Sequence, residues 1–178
     1  MTMRTETLKT VLTEEQISKR VGELAADISA HYRDEPLVCV CVLKGAFMFF
    51  ADLVRRLTID PEIDFVRLAS YGDKKSRSDE ILFTKDMEVS IKDKHVLIVE
   101  DIVDTGHSMD FLTKVFQERR PRSVKICALV DKWARREIAC GVDFPGFSVQ
   151  DGFLVGYGLD FAERLRNLSA IHEIVRPA

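Results

Sequence analysis

The chain alternates short, unbroken apolar runs with stretches in which apolar residues recur at helical spacing. Leu37-Val38-Cys39-Val40-Cys41-Val42-Leu43 and Val96-Leu97-Ile98-Val99 contain no polar residue. Such runs predict strands buried on both faces, as in a parallel sheet between helix layers. Val124 to Val130 reads as a third buried strand, and Ile63 to Ser70, Gly152 to Tyr157 and Ala170 to Val175 as further strands. Ile81 to Thr84 and Met87 to Ile91 read as short β segments flanking a turn. Thr13-Glu14-Glu15-Gln16 is a capping box, and Ile17, Val21, Leu24 and Ile28 behind it predict a helix to about His31. Ala46 to Leu57 predicts a helix with Phe47, Phe50, Leu53 and Val54 on one face. Ser108 to Arg119 predicts another, with Phe111, Leu112, Val115 and Phe116 inward. Strands alternating with helices define an α/β fold with a doubly wound, mostly parallel sheet flanked by helices.

Composition narrows the function classes. At 178 residues the expectation is one domain, 1–178, long enough to bury a sizeable core. The net charge of −3 provides no global basic footprint for nucleic acid. No apolar run reaches membrane-spanning length, and Met1 to Thr13 is polar without a signal-peptide core, so the expected location is the cytoplasm. Cys39 and Cys41 fall on one side of a predicted strand, while Cys127 and Cys140 stand alone. Without a C-x-x-C pair or a Cys/His cluster, they read as buried reduced thiols.

The chemistry concentrates after the second apolar run, at Glu100-Asp101-Ile102-Val103-Asp104-Thr105-Gly106-His107-Ser108. With the strand ending at Val99, the acids are expected just past its carboxyl end, where open α/β sheets bind ligands. Asp104 to Ser108 offers backbone N–H groups, two hydroxyls and a helix N-terminus, a binding place for phosphate. Acids beside an anion site suit a ligand with hydroxyls, or a divalent cation, next to its phosphate. A ribose 5-phosphate meets both demands. A solvated acidic strand end followed by an ordinary helix cap is the alternative.

The same block resembles the phosphoribosyl-diphosphate (PRPP) motif of type I phosphoribosyltransferases. Four further blocks are similar to the hypoxanthine/guanine branch: Leu43-Lys44-Gly45-Ala46-Phe47, Ser70-Tyr71-Gly72, Asp131-Lys132, and Phe153-Leu154-Val155-Gly156-Tyr157-Gly158-Leu159-Asp160. The likeness spans roughly Leu37 to Leu168. It implies displacement at ribose C1′ of PRPP by a purine nitrogen, with pyrophosphate leaving and IMP or GMP formed. It also implies Mg²⁺ and a homodimer or homotetramer. The segments about 1–15 and 150–178 would add a small purine-binding hood.

The resemblance assigns roles by position. Glu100 and Asp101 would hold the ribose hydroxyls and support Mg²⁺ bound to them, and Asp160 would sit near a second Mg²⁺, directly or through water. Asp104 would be the general base or acid at purine N7, while Asp104, Thr105, Gly106, His107 and Ser108 would hold the 5′-phosphate. The His107 side chain itself reads as solvent-facing. Lys44, Gly45 and Arg166 would meet pyrophosphate, and the Leu43–Lys44 peptide is expected to be cis in at least some states. Lys132 would donate to the 6-oxo group, Phe153 would stack on the purine, and backbone groups near Leu154 would read its edge. Ser70 and Tyr71 would open a lid running through the charged Gly72 to Glu80 segment. From the residues alone, Lys44 reads equally as the end of a strand, Phe153 as core, and Arg166 as a surface arginine on a short helix. Other functions are a fold-sharing regulator that senses PRPP and binds nucleic acid, a xanthine-preferring enzyme, or a transferase for adenine, orotate or uracil. The net acidic charge argues against the regulator. Asp104 and Lys132 together argue against the last group.

Overall fold

Strands that are apolar on both faces need cover on both, and the helices supply it. The computed structural model describes residues 7–71 and 80–175. At its centre β2 (Leu37–Leu43) and β5 (His95–Val103) lie parallel, in register from Leu37 opposite His95 to Cys41 opposite Val99. Cys39, Cys41, Leu97 and Val99 enter a core shared with α1 (Glu14–Tyr32) and α2 (Phe47–Val54). Val38, Val40, Val42, Val96 and Ile98 enter a second core under α3 (His107–Glu118). The parallel sheet is widened by β3 (Glu62–Tyr71), β6 (Ser123–Asp131) and β7 (Phe144–Ser148), and β4 (Glu80–Lys85) closes one edge antiparallel to β3. The order is β4-β3-β2-β5-β6-β7, the doubly wound arrangement expected.

A second, antiparallel sheet brings together segments distant in sequence, in the order β1-β9-β8: β1 (Thr7–Leu12), β9 (Ile171–Val175) and β8 (Leu154–Val155). Leu12, Leu154 and Ile171 anchor it in the α1/α2 core. No helix among the described residues is long and apolar enough to cross a membrane.

The capping box forms as read, with Gln16 N–H donating to Thr13 Oγ1 at 3.2 Å and Thr13 N–H donating to Gln16 Oε1 at 2.9 Å. Elsewhere tertiary structure revises the pattern. The second helix stops at Val54 rather than Leu57, where the Arg56 N–H turns back to the Leu53 carbonyl at 2.9 Å in a tighter closing turn. Met87 to Ile91 is no strand, because the Asp64 carboxylate takes the Glu88 and Val89 N–H groups at 2.7 Å each. Only Leu154–Val155 of the expected 152–157 strand pairs, since Gly156 to Leu159 folds into a tight turn with exchanged hydrogen bonds of 3.0 Å. In α3 Leu112 and Phe116 are buried together with Met109, while Phe111 and Val115 are half-buried. Cys39, Cys41 and Cys127 are buried and Cys140 half-buried, all as free thiols.

Candidate active site

Glu100 and Asp101 do not lie past the end of β5, as expected, but within it; Asp104 lies just past it. The ladder to β2 stops at Val99, whereas the ladder to β6 continues with Glu100 opposite Ala128, Ile102 opposite Val130 and Val103 opposite Asp131. One neighbour therefore falls away while the other keeps the backbone extended, and a cleft opens at Glu100 and Asp101. Both carboxylates are buried, at 8% and 9% exposure. Asp101 N–H donates to Glu100 Oε1 at 3.1 Å, and Ile102 N–H to Asp101 Oδ1 at 2.8 Å. Burial and then the neighbouring Asp101 charge push the Glu100 carboxyl well above the ordinary range. Burial also raises Asp101, against opposing hydrogen bonds and the positive charge of Arg166.

The cleft holds about 290 Å³ and is lined by Gly45, Glu100, Asp101, Thr105, Gly106 and Ser108 among others. Gly106 begins α3 at φ +94°, with no side-chain cap on the first turn among the described residues, so that turn presents bare N–H groups to the cleft. This replaces the ordinary side-chain-capped helix start considered from sequence. The loop after β6 braces the turn, with Glu137 and Ile138 N–H groups donating to the Thr105 carbonyl at 3.0 and 3.2 Å. His107 sits half-exposed on the first turn of the helix, its Nε2 2.9 Å from Glu137 Oε2.

Ile102 and Asp104 line this cleft and also a second, larger pocket of about 1120 Å³ between the main sheet and the small one. Lys132, Arg135, Phe153 and Leu154 line it too, with Val11 and Leu12 from β1. Lys132 is buried at 4% exposure, and its Nζ donates to the Gly152 carbonyl at 2.6 Å. Phe153 is 54% exposed and meets Phe161 edge-on, with ring centroids 5.6 Å apart, so it is a pocket wall and not a core residue. Asp104 Oδ1 accepts no hydrogen bond among the described residues, although Arg135 Nε lies 3.3 Å away at ion-pair distance. Arg135 was not anticipated. Arg135 follows Lys132 by three positions in a single 3₁₀ turn, Trp133–Arg135, and that spacing was its only trace in the sequence.

The Leu43–Lys44 peptide is cis. A Cβ on Gly45 would run into the Asp101 carboxylate, and one on Gly158 into the Gly45 carbonyl, so the 158–166 loop packs directly on this turn. Arg166 lies in that loop and not on a helix. It donates to the Gly158 carbonyl at 2.8 Å and pairs with Asp160 at 2.8 Å and Glu163 at 3.3 Å. Lys44 Nζ is 2.9 Å from the same Glu163 carboxylate. Among the described residues no three Asp, Glu, His or Cys side chains form a metal-holding group, and Asp160, expected near a second Mg²⁺, is not in one. Asp160 instead holds Arg166 and accepts the Glu163 N–H at 2.8 Å. Ser70 and Tyr71 close β3, paired with Ile81 and Glu80. Residues 72–79 of the expected lid lie outside the described residues.

A buried acid pair thus lies beside an uncapped helix turn, in a cleft that adjoins a second pocket with an exposed aromatic wall. Comparison with known proteins identifies the family. The chain belongs to the phosphoribosyl transferase domain family, whose model matches residues 7–162. It is 40% identical over 176 residues to the hypoxanthine phosphoribosyltransferase of Haemophilus influenzae, covering 97% of this chain and 98% of that one. It is likewise 40% identical to the hypoxanthine-guanine phosphoribosyltransferase of Bacillus subtilis, over 99% and 97% of the two chains. The crystal structure of a hypoxanthine phosphoribosyltransferase from Staphylococcus aureus superposes with a TM-score of 0.90 at 39% identity, covering 94% of this chain and 91% of the other.

Proposed function

We propose that this chain is a purine salvage enzyme that transfers the 5-phosphoribosyl group of PRPP to a 6-oxopurine, hypoxanthine first and guanine also. The products are IMP or GMP and pyrophosphate. The observation that supports this reading is that Ile102 and Asp104 line both pockets, the smaller of which the reading gives to the ribose and the larger to the base.

In this reading the first turn of α3, with Thr105, Gly106, His107 and Ser108, receives the 5′-phosphate. Thr105 and Ser108 add hydroxyl donors from the cleft wall. Glu100 and Asp101 accept hydrogen bonds from the ribose hydroxyls. The pocket under β1, β8 and β9, the purine-binding hood of a single 1–178 domain, takes the base between Phe153 and the end of β5. Lys132 has given one of its three N–H bonds to Gly152, and those left donate to the purine 6-oxo group. An amino group at that position would meet donor with donor, which disfavours adenine. Asp104 exchanges a proton with purine N7 as the nitrogen at the other end of the imidazole attacks C1′. Lys44, the Gly45 backbone and Arg166 stabilise the departing pyrophosphate.

The donor chemistry fits Mg²⁺. Glu100 and Asp101 are adjacent hard oxygen donors in the cleft wall and would hold the ion together with oxygens of the ligand. When bound, the ion neutralises charge on the leaving diphosphate. Ser70 and Tyr71 lead into a segment that closes over the reacting centre and excludes water. The protein works in the cytoplasm as a homodimer or homotetramer, without nucleic acid or membrane partners.

The test is Asp104→Asn. Titration should show PRPP binding within about twofold of the wild type, while turnover of hypoxanthine falls by roughly 10²–10⁴. Unchanged turnover would remove Asp104 from the acid–base role.

A further inference from the structure

The two cations placed at pyrophosphate are bound to one carboxylate of the protein itself. Glu163 Oε2 lies 2.9 Å from Lys44 Nζ and 3.3 Å from Arg166 Nη2. Lys44 comes from the turn after β2 and Arg166 from the loop after β8; Arg166 also pairs with Asp160 at 2.8 Å, but among the described residues Glu163 is the carboxylate that ties both cations to a common point. Those two hydrogen bonds, Lys44 first, hold the Glu163 carboxyl below the usual glutamate range, so it is an anion throughout the neutral region.

The backbone that carries Glu163 is unusual for its sequence. Phe161 and Arg164 exchange two backbone hydrogen bonds of 3.0 Å, closing a two-residue hairpin turn. Ala162 at φ +50° and Glu163 at φ +64° occupy its tip, and Leu165 follows at φ +72°. Turns of this kind select Gly, Asn or Asp at the left-handed positions. Ala-Glu is a poor choice for the turn, and such local conflicts mark positions kept for another purpose. Here the conflict sets a glutamate on the two cations.

We infer that Glu163 is an internal counter-anion that occupies the pyrophosphate cations of the free protein and competes with the diphosphate of PRPP and with product pyrophosphate. It acts through Lys44 and Arg166 and touches no reacting atom, so it is a positioning residue. The exchange of a fixed carboxylate for pyrophosphate lets the cations stay paired at every stage. It also speeds product release, because the displaced carboxylate is tethered close by and returns. The inference rests on the assignment of Lys44 and Arg166 to pyrophosphate.

The experiment is calorimetric titration of inorganic pyrophosphate with Mg²⁺ into the full chain and into Glu163→Gln, Lys44→Ala and Arg166→Ala. Glu163→Gln keeps the side-chain shape and removes the charge. It should bind pyrophosphate about fivefold more tightly at low salt, the scale of one partly exposed ion pair. That difference should shrink in about 1 M KCl, where exposed charges are screened. The hypoxanthine KM should stay unchanged. A residue that merely shaped the loop would give looser binding and no salt-dependent gain. Unchanged or weaker pyrophosphate binding by Glu163→Gln, with Lys44→Ala and Arg166→Ala both impaired, would overturn the counter-anion while leaving the pyrophosphate site in place. Full pyrophosphate affinity in both Lys44→Ala and Arg166→Ala would overturn the site assignment and this inference with it.

Discussion

The Asp101 carboxylate stands where a side chain on Gly45 would begin: an added Cβ overlaps it. Asp101 is itself buried, held by the Ile102 N–H at 2.8 Å, and has little room to retreat. The absent side chain at Gly45 is therefore what lets the turn after β2 approach the acid pair on β5. Gly45→Ala should displace Asp101 and lower kcat/KM for PRPP by at least about tenfold, a loss of roughly 1.4 kcal/mol in transition-state stabilisation. Far-UV circular dichroism should remain that of the wild type. Undiminished kcat/KM would mean that Asp101 has no part in holding the ribose.

Glu100 makes the opposite demand on stability. Burial and the Asp101 charge raise its carboxyl well above the ordinary range, so its ionised form is the unfavourable one in the fold. The penalty is absent below the unfolded value of about 4.3 and grows as pH rises toward the folded value. Glu100→Gln removes that penalty and can still accept the Asp101 N–H. Without ligands the variant should melt above the wild type at pH 8, by roughly 2–4 °C for each kcal/mol released, and level with it near pH 4. Its PRPP affinity should fall. A lower melting temperature than wild type at pH 8 would contradict the assignment of the acid pair as a stability cost kept for binding.

Asp64 shows the contrasting case of a buried carboxylate well supplied with donors. Burial at 4% exposure works against its charge, but the N–H groups of Val89, Phe65 and Glu88 and the nearby Lys85 ammonium outweigh it and hold the carboxyl below the ordinary range. A depressed folded value means stability that is present above about pH 3.9 and lost as pH falls through the folded value. Asp64→Asn turns an NH₂ toward N–H donors and should cost about 1–3 kcal/mol at pH 7 by urea denaturation. The gap should narrow steadily below pH 4. A gap of equal size at pH 3 would show that the charge is not what matters.

The role proposed for Lys132 separates base recognition from sugar recognition. Its ammonium is buried at the wall of the larger pocket and is absent from the lining of the smaller one. Lys132→Ala should raise the hypoxanthine KM by at least about tenfold, with the PRPP KM within about twofold of wild type. Equal losses on both substrates would contradict the placement of Lys132 at the purine.

Much of this architecture was legible because it is local. The unbroken apolar runs could only be doubly buried strands, and the capping box at Thr13 fixed a helix start within one residue. What escaped depends on partners distant in sequence. β1 is polar outside and gains its strand only by pairing Thr7 with Val175 and Leu12 with Ile171. β7 carries Pro145 and Gly146, which argue against a strand until it lies at a sheet edge, where Arg20 donates to both carbonyls. β5 continues through two carboxylates because β6 still pairs with it on one side, and no periodicity announces that.

The site divides the same way. Glu100 to Ser108 form one contiguous motif, so the acid pair and the turn behind it could be read together; that β5 runs on through the acids and that the turn has no side-chain cap could not. Arg135 beside Asp104, and Glu163 between Lys44 and Arg166, are products of loop packing, and neither stands in a motif of its own.

The most direct measurement is a purine panel. Purified protein with Mg²⁺ and PRPP is supplied in turn with hypoxanthine, guanine, xanthine and adenine, and nucleotide formation is followed by ultraviolet absorbance. Rapid turnover of hypoxanthine, turnover of guanine and none of adenine is the result that a donating Lys132 and a proton-exchanging Asp104 require. Turnover of adenine at a comparable rate, or PRPP binding without turnover of any base, would contradict it.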